Sequence, residues 1–209
     1  MFKYIKEKFL SFRIPVMMFI AFLMWVYFFR GFLFNKLFLS GDAMAYFEHT
    51  RFYIDNISRG IYPMWESTRQ LGVPAEFFMR RIGSYNPAYF FIIVLNKLGM
   101  PYVNSYLLFL AGYYFLGVLG FYLLAKQMFK DSNIAFLAYI LLLFSSLGTK
   151  AFESYILLVS VPTIWFFFFL FAFTQKQNKF HFLGIIFSLM IILITYIPFY
   201  FITVFCPFF

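Results

Sequence analysis

Cysteine is almost absent: Cys206 is the only one in the chain. A lone thiol forms no internal disulfide and builds no thiolate metal site, so a disulfide scaffold and a zinc ribbon are both excluded. Charge is scarce too, at 12% of residues, and acids are scarcer still, with 8 Asp and Glu against 17 Lys and Arg. The chain lacks a Walker loop, a GxSxG elbow, an HExxH helix and a CxxC pair. Those absences remove the signatures of P-loop nucleotide hydrolysis, nucleophile-elbow hydrolysis, zincin proteolysis and dithiol redox chemistry. No internal repeat or low-complexity linker is present.

What fills the chain is apolar. It is 64% hydrophobic with a mean hydropathy of +0.83, more apolar surface than a soluble chain of this length can cover. Phe alone contributes 37 residues; Phe suits lipid-facing helix surface, so this richness calls for no bound cofactor. The net charge of +9 does not point to nucleic acid, because many of the basic residues sit in short links beside apolar runs. That is the positive-inside pattern of a membrane protein.

The expected fold is an all-α polytopic membrane protein with about five transmembrane helices, residues 1–209 forming one transmembrane domain. A helix rises ~1.5 Å per residue and needs about 20 residues to cross a bilayer. Spans are expected over 14–34, 102–125, 133–147, 155–173 and 182–205. The basic start MFKYIKEKFLSFR has no small-residue cleavage site after it and reads as an uncleaved anchor. Pro15 suits the first turn of the first span. Arg30, in the outer third, either snorkels to the interface or faces a polar cavity. The apolar stretch 88–98 is too short to cross and reads as interfacial or re-entrant. A cytoplasmic N-terminus places Lys3, Lys6, Lys8, Arg13, Lys126, Lys130, Lys176 and Lys179 inside, with Glu7 and Asp131 as the acids there. The chain stops at FITVFCPFF without a polar tail, which reads as a portion of a longer protein.

Between the first two spans lies a long outer loop, 40–101, rich in polar residues. Over 43–58 the periodicity predicts an amphipathic helix lying along the membrane surface. Tyr46, Phe47, Tyr53, Ile54 and Ile57 fall on one side, and Glu48, Arg51, Asp55 and Arg59 on the other. Arg51 and Asp55 are spaced to pair on the wet side. Gly60, Pro63, Gly72 and Pro74 mark turns. Tyr62, Trp65 and Tyr85 suit the headgroup region.

An enzyme acting on a lipid-phosphate substrate needs a carboxylate at the membrane surface to take a proton from an attacking hydroxyl. It also needs cations, or a divalent metal, to stabilise charge on the leaving phosphate. Asp42 opens the outer loop, Glu48 follows six residues on, and Glu153 lies in the second outer loop on the same side. Arg80 and Arg81 follow Phe77-Phe78-Met79, at headgroup depth, and Arg51 is on that side as well. The turn around Arg80 and Asn86 is expected to face phosphate. Plainer roles stand beside these. Asp42 or Ser40 suits the helix N-cap, Glu48 a solvated helix face, and Glu153 a pair with Lys150. Arg80 and Arg81 suit contact with anionic lipid. His49 and His181 fall on opposite sides of the membrane and are not expected to share a metal.

The order of elements carries a resemblance. Gly41-Asp42 near the exit of the first span is followed by Gly60-Ile61-Tyr62-Pro63-Met64-Trp65, then Gly72-Val73-Pro74, then Asn86-Pro87-Ala88-Tyr89-Phe90. This resembles the YfhO-like bacterial membrane proteins, within the GT-C class of polytopic glycosyltransferases. The resemblance implies transfer of a sugar from a polyprenyl-phosphate donor to a cell-surface glycan or lipid acceptor on the outer face. It implies a catalytic role for Asp42, by position, as base toward the acceptor hydroxyl or as a ligand to a divalent metal, and a second acid for metal or substrate in the next outer loop, where Glu153 stands. The rival from another class is a non-enzymatic transporter subunit or flippase partner. Transport folds carry polar or broken helices at half depth. The later spans here have no acid or base inside, and Pro162 and Pro198 are their main breaks.

Overall fold

The structure, a computed structural model, describes residues 2–34, 42–66, 72–74, 86–145 and 156–195, with the backbone alone for 2–12, 32–33, 42–43, 73 and 156. Helix α1 spans Phe2–Phe28, and a short α2, Arg30–Leu33, follows it. Next come α3, Asp42–Ser58, and an antiparallel pair of two-residue strands, β1 Trp65–Glu66 and β2 Val73–Pro74. A 3-10 turn, Pro87–Tyr89, leads into α4, Phe90–Lys97. The remaining described helices are α5 Tyr102–Phe129, α6 Ser132–Phe144, α7 Ile156–Gln175 and α8 Lys179–Thr195.

Among the described residues, two helices are long and apolar enough to cross a membrane, Tyr102–Phe129 and Leu157–Gln175. That property points to membrane association. Arg13–Phe28, Ser132–Phe144 and Lys179–Thr195 are shorter apolar helices.

Helix α1 begins earlier than the expected span, so Pro15 lies inside it rather than in its first turn. Proline removes one backbone hydrogen bond, and a long apolar helix packed against neighbours tolerates that loss. Arg30 is exposed and stacks its guanidinium 4.1 Å from the centre of the Tyr27 ring. An arginine at the end of an apolar helix is thereby held over an aromatic face.

The centre of the bundle is α5, packed along α7 and α6, with α8 against α7 and α1 against α6. Small residues set the closest approaches. A Cβ added at Gly117 would come within 2.7 Å of the Val161 side chain, and one at Gly184 within 2.5 Å of the Phe169 ring. Side-chain donors then tie the helices through main-chain carbonyls. The Tyr139 hydroxyl donates to the Met18 carbonyl at 3.0 Å, Tyr114 to Leu142 at 3.1 Å, and the Trp165 indole to Leu116 at 3.2 Å. In an apolar surround a phenol or indole without a partner is costly, so these donors fix helix register as well as adding energy.

The rings of Phe28 and Phe144, at the ends of α1 and α6, also meet. With the Tyr139–Met18 bond, this makes α1 and α6 run the same way. One end of the bundle therefore gathers the start of α5 and the ends of α1 and α6. The other gathers the end of α5, the start of α6 and the α7–α8 link. A cavity of about 240 Å³ lies between α5, α7 and α8. Its described walls include Tyr113, Val161, Pro162, Trp165, Phe187 and Ser188, and among the described residues no charged side chain lines it.

Candidate functional site

Helix α3 has the two faces its periodicity demands. Phe47, Thr50 and Ile54 are buried, Tyr46, Tyr53 and Ile57 are half-buried, and Glu48, Arg51, Asp55 and Arg59 are exposed. It ends where Gly60 takes φ +74°, a left-handed conformation that glycine adopts without a Cβ penalty. The buried face lies against the first turns of α5. The Phe47 ring is 5.1 Å from Tyr102 and 5.2 Å from Tyr106, and the Tyr102 hydroxyl donates to the Phe47 carbonyl at 3.4 Å. The helix thus covers the end of the bundle at which α5 begins.

That buried face is not wholly apolar. His49 Nδ1 lies 3.7 Å from Glu66 Oε2, with side chains only 9% and 6% exposed. This pair joins α3 to β1. The Thr50 hydroxyl donates to the Tyr46 carbonyl at 2.7 Å within the helix. Tyr89 is buried beside Thr50, and burial pushes its phenol well above the ordinary tyrosine range. The neighbouring hydroxyl of Tyr106 pushes the same way, while a hydrogen bond with Thr50 works against it.

A folded-state value above the ordinary one of about 10 means that the folded chain holds this proton longer than the unfolded chain does. The stability it contributes is complete below pH ~10 and is lost as pH rises through the folded value. Tyr89→Phe is therefore expected to flatten the alkaline loss of stability, by about 1.4 kcal/mol per pH unit above pH ~10. Thermal midpoints of both proteins from mild to strong alkali measure it. Parallel curves would show that Tyr89 does not titrate on unfolding.

The Asn86-Pro87-Ala88-Tyr89-Phe90 run has a local explanation. Asn86 caps the 3-10 turn by accepting from the Ala88 N–H at 3.0 Å, and Pro87 occupies the first helical positions. Its amide nitrogen donates to the Tyr113 hydroxyl at 3.4 Å. Asn86 is 2% exposed, which corrects the expectation that it faces phosphate: both ends of its amide are engaged inside the protein. The other motif residues are also turn-makers here. Pro63 is buried, and Gly72, with φ +103°, lies against the Trp65 indole, which a Cβ there would reach at 2.5 Å.

The residues expected to carry chemistry are distributed as follows. Asp42 is the first residue of α3, two helical turns before His49. Glu48 is exposed on the outward side of α3. Arg51, also outward, holds Nε 3.7 Å from Asp55 Oδ2, and its guanidinium stands 5.9 Å from the centre of the Tyr102 ring. Arg80, Arg81 and Glu153 lie outside the described residues, as do Ser40, Lys150 and Tyr85. The first three acids and bases thus share one helix at one end of the bundle, with Glu48 and Arg51 on its wet face.

The His49–Glu66 pair was not among the sequence candidates. His49 lies at the margin between the wet and dry faces of α3, where periodicity assigns it to neither, and Glu66 sits in a strand too short to show alternation. His181 lies at the opposite end of the bundle, at the start of α8, with Nδ1 3.2 Å from the Lys176 carbonyl. Among the described residues no three of His, Cys, Asp or Glu gather as a metal site. No protein-family model matches this chain, and comparisons with curated proteins and with solved structures find no match.

Proposed function

We propose that the chain is a membrane glycosyltransferase of GT-C type, moving a sugar from a polyprenyl-phosphate donor to a cell-surface glycan or lipid. The reading takes α1, α5, α6, α7 and α8 as about five spans, with the N-terminus cytoplasmic and α3 along the outer surface. The observation that carries it is the placement of α3 across one end of an apolar bundle. That helix starts at Asp42 and presents Glu48 and Arg51 outward from a buried aromatic face. A lipid-linked donor reaches a protein at this depth, with its phosphate at the surface and its chain in the bilayer.

In this reading Asp42 takes the proton of the acceptor hydroxyl, which attacks the anomeric carbon as the bond to the donor phosphate breaks. The cations Arg51, Arg80 and Arg81 steady the departing phosphate, and Glu48 and Glu153 hold sugar hydroxyls. The Arg51–Asp55 pair is exposed and worth only about 0.3–0.5 kcal/mol, so an anionic headgroup can draw Arg51 away at small cost.

Transport is less favoured by the same structure. Among the described residues no charged group lines the cavity between α5, α7 and α8, whereas ion-coupled carriers hold such groups at half depth. The deciding experiment reconstitutes the protein in vesicles with a radiolabelled polyprenyl-phosphate sugar and an extract of envelope acceptors. Label appearing on an acceptor is the expected result. Movement of the intact donor between leaflets without transfer would sink the enzyme reading and leave the transporter subunit or flippase partner.

A further inference from the structure

The end of the bundle opposite α3 carries four lysines from two links. Lys126 and Lys130 close α5, and Lys176 and Lys179 flank the start of α8; all four are exposed. The structure brings the two links side by side. The Gln127 amide donates to Gln175 Oε1 at 3.4 Å, joining the ends of α5 and α7. The His181 contact to the Lys176 carbonyl folds the α7–α8 link against α8. Asp131, the acid nearest in sequence, is used elsewhere: its carboxylate caps α6, accepting from Asn133 N at 2.6 Å and Ile134 N at 3.3 Å. Among the described residues none of the four lysines pairs with a carboxylate.

Beside these cations lie large apolar side chains that are also exposed. Phe129, Phe180 and Leu183 are 57%, 64% and 62% exposed. A soluble anion or a nucleic acid would use the lysines and make no use of these side chains. A molecule with a phosphate at one end and hydrocarbon at the other uses both. We propose that this end of the bundle binds an anionic phospholipid. Its phosphate lies among Lys126, Lys130, Lys176 and Lys179, and its acyl chains run along Phe129, Phe180 and Leu183. The inference rests on the helices being membrane-embedded and is independent of any sugar transfer at the other end.

The test compares thermal midpoints in nanodiscs of phosphatidylcholine alone and of phosphatidylcholine with about one third phosphatidylglycerol. The expected gain from the anionic lipid is roughly 5 °C or more, shrinking in high salt. K126Q/K130Q and K176Q/K179Q are each expected to lose about half of that gain, since each keeps one cationic pair and needs no inversion of the chain. The corresponding double Lys→Arg proteins are expected to keep it. Three results would overturn the proposal while leaving the membrane reading in place. One is equal midpoints in the two bilayers. Another is a gain that survives both Gln pairs. The third is the same gain from soluble glycerol phosphate added to neutral nanodiscs, which would assign the patch to a free anion. Failure to enter even the neutral bilayer would remove the membrane reading and this proposal together.

Discussion

Asp42→Asn is expected to lower sugar transfer by about 100-fold or more while leaving the thermal midpoint close to that of the parent protein. The substitution separates two roles that fall on one residue. Asn and Asp cap or start a helix about equally well, so α3, which begins at Asp42, keeps its start. What Asn lacks is a basic oxygen able to take a proton. A factor of 100 in rate corresponds to about 2.7 kcal/mol of barrier, within the range that a positioned general base supplies. The measurement is initial rate of transfer from labelled donor at saturating acceptor, beside a melting curve of the same preparation. Transfer at the parental rate from a normally expressed Asn protein would end the case for Asp42. A lower midpoint with an unchanged rate per folded molecule would instead return it to a purely structural place at the head of α3.

The second large effect concerns folding of the outer segment. His49→Ala and Glu66→Ala are each expected to destabilise the protein by about 2–3 kcal/mol, because each leaves a buried partner behind. Two-residue strands such as β1 and β2 have little stability of their own, so this segment depends on what it touches. Glu66 is 4% exposed, and His49 on α3 meets it at 3.7 Å. Replacing both by Leu keeps the volume and removes both polar groups, and the loss is then expected to be much smaller than the sum of the single changes. A double-mutant cycle in denaturation midpoints is the measurement, with a coupling of about 1–3 kcal/mol expected. Simple additivity would mean that the two side chains do not support one another. Limited proteolysis gives a second view: cleavage between α3 and α4 should rise in the single variants while the helices of the bundle stay protected.

Much of the bundle was legible from hydropathy. The long apolar runs became α5 and α7, and the amphipathic run became α3 with Phe47 and Ile54 inside and Glu48, Arg51 and Asp55 outside. The start of α1 was not legible, because Pro15 reads as a helix opening when only its local preference is weighed. The residues before it carry the helix back to Phe2. Asn86 misled for a related reason. A polar residue before proline in a loop rich in arginine suggests an exposed turn, yet its amide is consumed by the Ala88 N–H and the Tyr113 hydroxyl. Among the candidates for chemistry, Glu48 and Arg51 lie in the expected helix, and Asp42, which suited its cap, is its first residue. Nothing in the spacing of His49 and Glu66 announced that they would meet.

By itself, then, the sequence determined which segments are apolar helices, where turns fall, and which side of α3 is wet. Those properties follow from neighbours within a few residues, through hydrophobic periodicity and the φ preferences of Gly and Pro. Only the tertiary structure decided which buried polar groups find one another. Asn86 reaches Tyr113 across 27 residues, and Tyr139 reaches the Met18 carbonyl across 121. Such partners are selected by the closing of the bundle around each donor, since a buried hydroxyl or amide must be satisfied by whatever acceptor the packing brings within reach. The same closing put α3 at one end of the bundle and the four exposed lysines at the other.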